Sequence, residues 1–126
     1  MHNTITIENI RLLVDRFYSD VREHPQLGPV FNNAIGTSDE EWEPHLQKIT
    51  HFWTSLFLGT KSYRGNPLRA HRELPQFPIE LFGDWLELFQ TKVAEIYVPD
   101  IYEEFKTKSE MIAKSLKLGL YQKTIF

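Results

Sequence analysis

WEPHLQKITHFWTSLF, residues 42–57, sets Trp42, His45, Leu46, Ile49, Phe52, Trp53, Leu56 and Phe57 on one broad face at helical spacing. TSDEEW leads into it with Ser38 and Glu41 at capping-box spacing, and Gly59 is placed to stop it. Upstream, Ile10, Leu13, Val14, Phe17, Tyr18 and Val21 repeat the one-face pattern until His24-Pro25 ends it. QLGPVFNNAIG follows as a short segment closing at Gly36. Downstream, Phe82, Trp85, Leu86, Phe89, Val93, Ile96 and Tyr97 predict an apolar helix over about Ile79 to Val98, and Pro99 opens a last one carrying Ile101, Phe105, Ile112 and Leu116. Residues 59–78 hold Gly65, Pro67, Pro75 and Pro78 and read as irregular. No strand-like alternation persists, so the expectation is an all-α chain of four substantial helices.

A length of 126 residues fits one domain, taken as 1–126, with a real core. The net charge of −3 argues against a nucleic-acid partner, because phosphate neutralisation needs a basic face. The absence of cysteine removes disulfides, thiolate catalysis and iron–sulfur clusters. There is no cationic start followed by an apolar run, and no apolar stretch long enough to span a membrane. The expectation is a soluble, cytoplasmic monomer. Aromatics reach 13%, which suits heavy core packing or an aromatic-lined cavity.

Five histidines are the only soft metal ligands. His2 and His24 sit near chain or helix ends and read as solvated. His51 is turned about 240° from His45 around a helix, so the two cannot share one ion. HExxH, ExxH pairs, a P-loop, GxSxG and a dinucleotide fingerprint are all missing. His45 stands on an aromatic helix face, where the plain reading is a core histidine bonded to backbone. His71, in PLRAHRELPQFP (67–78), alone reads as an exposed loop residue. Together they also fit a planar cofactor held between two faces, with one imidazole on iron and a polar group opposite.

FYSDV (17–21), LGPVFNNAIGTSDEEW (27–42), HLQKITHFW (45–53), HRELPQFP (71–78) and the helix around Trp85 resemble the group III truncated haemoglobins. The double-glycine motifs of the other truncated groups are missing. This resemblance implies a shortened globin, with two antiparallel helix pairs stacked 2-on-2 around haem b (iron protoporphyrin IX). It makes His71 the proximal iron ligand, bound through Nε2 with Nδ1–H given to a backbone carbonyl. It also makes Tyr18, His45 and Trp85 the distal polar residues, and Phe31, Ile49, Phe52 and Trp53 candidate pocket walls. Tyr63, Arg64, Arg69 and Arg72 lie in the segment suited to the haem propionates. Pro44 adds a local complication, since proline is comfortable only in a first turn. The helix therefore begins close to His45 or kinks there, which would let His45 swing outward as a gate.

The implied function is reversible binding of O2, NO, CO or a similar ligand at ferrous iron. Several donors around it suit scavenging or redox chemistry better than bulk oxygen transport. The enzymatic alternative is nitric oxide dioxygenation or peroxidase-like chemistry fed by an external reductase. A cofactor-free helical interaction module is the third reading.

Overall fold

Thr6 starts the first helix by a reciprocal cap. Its hydroxyl accepts from the Asn9 backbone N–H, and the Asn9 side-chain oxygen accepts from the Thr6 N–H. The computed structural model describes residues 1–60 and 77–120. Within them the order is α1 (Ile7–Glu23), α2 (Leu27–Ile35), α3 (Asp39–Leu58), α4 (Leu81–Ile96) and α5 (Pro99–Leu120). The described residues contain no strand, only an isolated bridge between His2 and Tyr97. None of these helices is long and apolar enough to cross a membrane.

The fold is all-α, built from two antiparallel pairs, α1 with α3 and α4 with α5. Packing of α1 on α4 stacks one pair on the other, and α2 bridges α1, α3 and α4. The core is the apolar face of α1, with Ile10, Leu13, Val14, Phe17 and Val21 all fully buried against Trp42, Phe89, Val93 and Phe105. On α4 and α5, Phe82, Ala113 and Leu116 make a smaller cluster at the far end.

Several expectations hold and three need correcting. α1 ends at His24, Gly59 caps α3, and Pro99 sits at the first position of α5. The segment from Gln26 to Gly36, however, contains a helix of its own. His24 makes that helix, because its Nδ1 accepts the backbone N–H of Gln26 and of Leu27. His24 is thus a half-buried cap rather than a solvated side chain. Finally, α3 begins at Asp39, six residues before His45, where Ser38 and Glu41 close the expected capping box. It runs on through Pro44 without a break. Proline there forfeits one N–H bond to the Glu40 carbonyl, and both residues are exposed, so that carbonyl is left on the solvent side.

Two glycines are dictated by geometry. Gly36 has φ 123°, a left-handed conformation that side chains disfavour, and a Cβ there would run into the Glu41 carboxylate. Gly28 lets α2 approach the end of α1, since a Cβ would stand 2.7 Å from the Arg22 carbonyl oxygen. The obstacle is backbone, which cannot swing aside. Gly28→Ala should therefore destabilise the fold by about 1–3 kcal/mol. A denaturant midpoint equal to that of the parent protein would contradict this account of the α1–α2 approach.

Candidate functional site

Tyr18 carries a hydroxyl on the buried face of α1 and is only 7% exposed. A phenol enclosed by apolar rings needs a hydrogen-bond partner. Trp85, one turn before Phe89 on α4, brings its indole to the Tyr18 side of the site, both residues packing on the Phe17 ring. The indole nitrogen has no acceptor capacity, so toward an oxygen it can act only as a donor. Burial pushes the Tyr18 phenol far above its ordinary value, and Trp85 offsets that only in part.

Other elements close on this pair edge-on. The Phe17 ring meets Tyr18 at 4.7 Å, Trp85 at 5.4 Å and Phe89 at 5.2 Å, each nearly perpendicular. Phe31 comes from α2 to 6.0 Å of the Tyr18 ring. From α3, His45 stands 6.4 Å from Tyr18 and 5.6 Å from Trp42, perpendicular to both. His45 is half-buried at this point and faces the tyrosine. Phe31, Leu46, Ile49, Phe52 and Trp85 pack on the core yet stay partly exposed, giving an apolar wall with polar atoms set into it. Trp53 lies deeper, 3% exposed, among phenyl rings.

Tyr18, His45, Trp85 and Phe31 are thus brought together. His71, Tyr63, Arg64, Arg69 and Arg72 lie outside the described residues. Among the described residues, no three of His, Cys, Asp and Glu come together as a metal-holding group. Two residues that organise the site were not singled out from the sequence. Trp42 is fully buried and anchored by its indole N–H on the Gly36 carbonyl at 2.9 Å. Arg22 lies over the Trp42 ring at 5.1 Å while its other arms hold Asp39 and the Thr37 carbonyl. The signal for Trp42 was its spacing of three from His45 on one helix face; nothing local in the sequence pairs Arg22 with it.

The donor set fits the distal side of a haem: hydrogen-bond donors converge within aromatic walls, without the carboxylates that a hard cation requires. Residues 3–117 match the bacterial-like globin family. The chain is 44% identical over 119 residues to the group 3 truncated hemoglobin ctb of Campylobacter jejuni, covering 94% of each chain. The crystal structure of the group III truncated hemoglobin from Campylobacter jejuni superposes with a TM-score of 0.93 at 42% identity, covering 99% of this chain and 98% of that one.

Burial also raises the phenol of Tyr97, whose hydroxyl donates to Asn9 Oδ1 at 2.6 Å. Both tyrosines therefore favour the fold up to the ordinary phenol value of about 10 and weaken it as the pH rises beyond. In a spectrophotometric titration, Tyr18→Phe and Tyr97→Phe should leave the reversible ionisation amplitude near pH 10 unchanged. Loss of one tyrosine's amplitude in either variant would mean that its hydroxyl is solvated.

Proposed function

We propose, since the chain belongs to the bacterial-like globin family and within it to the group III truncated haemoglobins, that it carries haem b and holds dioxygen or another diatomic ligand beside Tyr18 and Trp85. Membership of the family itself implies a haem cofactor and small gaseous ligands. The observation that carries the finer reading is the convergence of buried Tyr18 with Trp85 and His45 within aromatic walls. When bound, haem supplies an iron that takes the ligand and leaves partial negative charge on it.

The chain's own residues answer that charge. Tyr18 O–H and Trp85 N–H are both donors, and the indole nitrogen can act in no other way. In an apolar surround such a donor is worth more than in water. His45 stands at the same place as a third polar group. Phe31, Ile49 and Phe52 would exclude water from the ligand, with Trp53 in the core behind them rather than in the wall. In this reading His71 holds the iron through Nε2, and Tyr63, Arg64, Arg69 and Arg72 are the candidate partners of the propionates.

A second reading uses the same pocket for nitric oxide dioxygenation or peroxidase-like turnover, with electrons from an external reductase. It is favoured by one feature, the run of near-parallel rings leading from Trp85 into the core. Either reading is compatible with a cytoplasmic monomer, which we adopt as the working form.

The purified protein should show a haem absorption spectrum with five-coordinate ferrous iron that shifts on adding carbon monoxide. His71→Gly should disturb it, and added imidazole should restore it. A colourless protein that takes up no haem would overturn the proposal. Tyr18→Phe and Trp85→Leu should each speed oxygen release about tenfold or more, the equivalent of a hydrogen bond to a charged acceptor. Release rates unchanged in both variants would remove the pair from the ligand site.

A further inference from the structure

Four phenyl rings surround the Trp53 indole among the described residues. Phe89 lies at 5.1 Å and Phe57 at 5.9 Å, tilted by only 14° and 19°. Phe52 at 5.3 Å and Phe105 at 5.7 Å meet it at steeper angles. Aromatic faces carry negative charge density and attract cations. Aromatic boxes that hold a cation are ordinarily filled by a ligand, whereas this one is filled by a tryptophan. The only way for it to hold a positive charge is for the indole itself to lose an electron.

A route from the site to this box is also present. Trp85, which shares the Phe17 ring with Tyr18, stacks on Phe89 at 5.2 Å and 5°, and Phe89 stacks in turn on Trp53. Trp85, Phe89 and Trp53 thus form one near-parallel column from the distal pair into the core.

The two competing end points are disfavoured. Trp42 is near Tyr18 at 5.9 Å, but the Arg22 guanidinium lies over its ring and repels a second positive charge. Tyr97 stacks on Phe105 at 5.0 Å, but oxidising a phenol requires losing its proton, and its hydroxyl faces the neutral amide of Asn9. An amide is no base. Trp53 has no such obstacle and is 3% exposed, which shields it from reductants in solution.

We propose that Trp53 is a redox-active residue that gives one electron to the ligand pocket through Phe89 and Trp85 when a hydroperoxide reacts there. The inference rests on the haem reading above. Hydrogen peroxide is the oxidant, and breaking its O–O bond takes up two electrons. One comes from the haem and one from Trp53. One oxygen leaves as water with both peroxide protons, and the other stays in the pocket. No bond to Trp53 forms or breaks, and its ring N–H proton is retained, so the product is the indole radical cation. The residue would spare the haem from being oxidised by the second equivalent.

The experiment is a freeze-quench of the ferric holoprotein with one equivalent of hydrogen peroxide, read by electron paramagnetic resonance with ring-deuterated tryptophan. Haem content is first verified by absorption, so failure of the haem reading shows before any peroxide is added, and that result overturns both proposals. The parent protein should give a tryptophan radical, which Trp53→Phe loses and Trp42→Phe retains. Phe89→Leu keeps all three tryptophans and breaks the column, so it should lose the signal too and bleach its haem faster. It serves as the decisive variant if Trp53→Phe does not fold. A tryptophan radical of undiminished yield in Trp53→Phe or Phe89→Leu would overturn the assignment. So would the absence of any tryptophan radical in a haem-loaded parent protein that has consumed the peroxide.

Discussion

The Phe17 ring, fully buried and packed edge-on against Tyr18, Trp85 and Phe89, fixes how the two helix pairs of this protein meet. Edge-to-face contacts have a preferred geometry worth about 0.5–1.5 kcal/mol each beyond the area they bury, so sliding α4 along α1 would forfeit two of them together. Everything else at the site is placed relative to this cluster: Phe31 from α2, Trp42 and His45 from α3, and through Phe89 the rings of α5.

The α3 side has a matching fixture of a different kind. Arg22 at the end of α1 reaches across the turn before α3, where it meets Asp39, the Thr37 carbonyl and the face of Trp42. The Arg22–Asp39 pair alone is exposed on the aspartate side and contributes little. Its value lies in geometry, because the guanidinium fork ties a loop backbone, a helix N-terminus and a buried ring in one place. Trp42 is held there, and His45, one turn on, inherits its position.

Much of this was legible in the sequence because the signals are periodic or chemical. The faces of α1, α3 and α4 follow from apolar spacing alone, and Ser38, Gly59 and Pro99 mark helix boundaries by mechanisms that act locally. α2 was hidden because its start depends on the imidazole of His24, a cap that ordinary N-cap residues do not announce. Of the two alternatives at Pro44, a start of α3 close to His45 falls, because the Ser38–Glu41 cap sets the start at Asp39; the penalty of proline depends on whether the freed carbonyl meets solvent, which spacing does not reveal. Tyr18 and Trp85 could be named as partners of a ligand but not of each other. Their shared packing on Phe17 joins residues of two helices distant in sequence and becomes visible only once α1 lies on α4.

The amino-terminal strap ties the two ends of the fold together. The His2 N–H donates to the Ile96 carbonyl, the Val98 N–H donates to His2, and Tyr97 reaches Asn9 across a sequence separation of 88. These bonds join the residues ahead of α1 to the corner between α4 and α5. During synthesis, α1 therefore leaves the ribosome with its apolar face uncovered and cannot be sealed until α4 follows. For most of translation this chain is an unfinished core. The completing event is the arrival of the Tyr97 corner, a non-local closure of the kind that slows folding and leaves apolar surface open to association meanwhile.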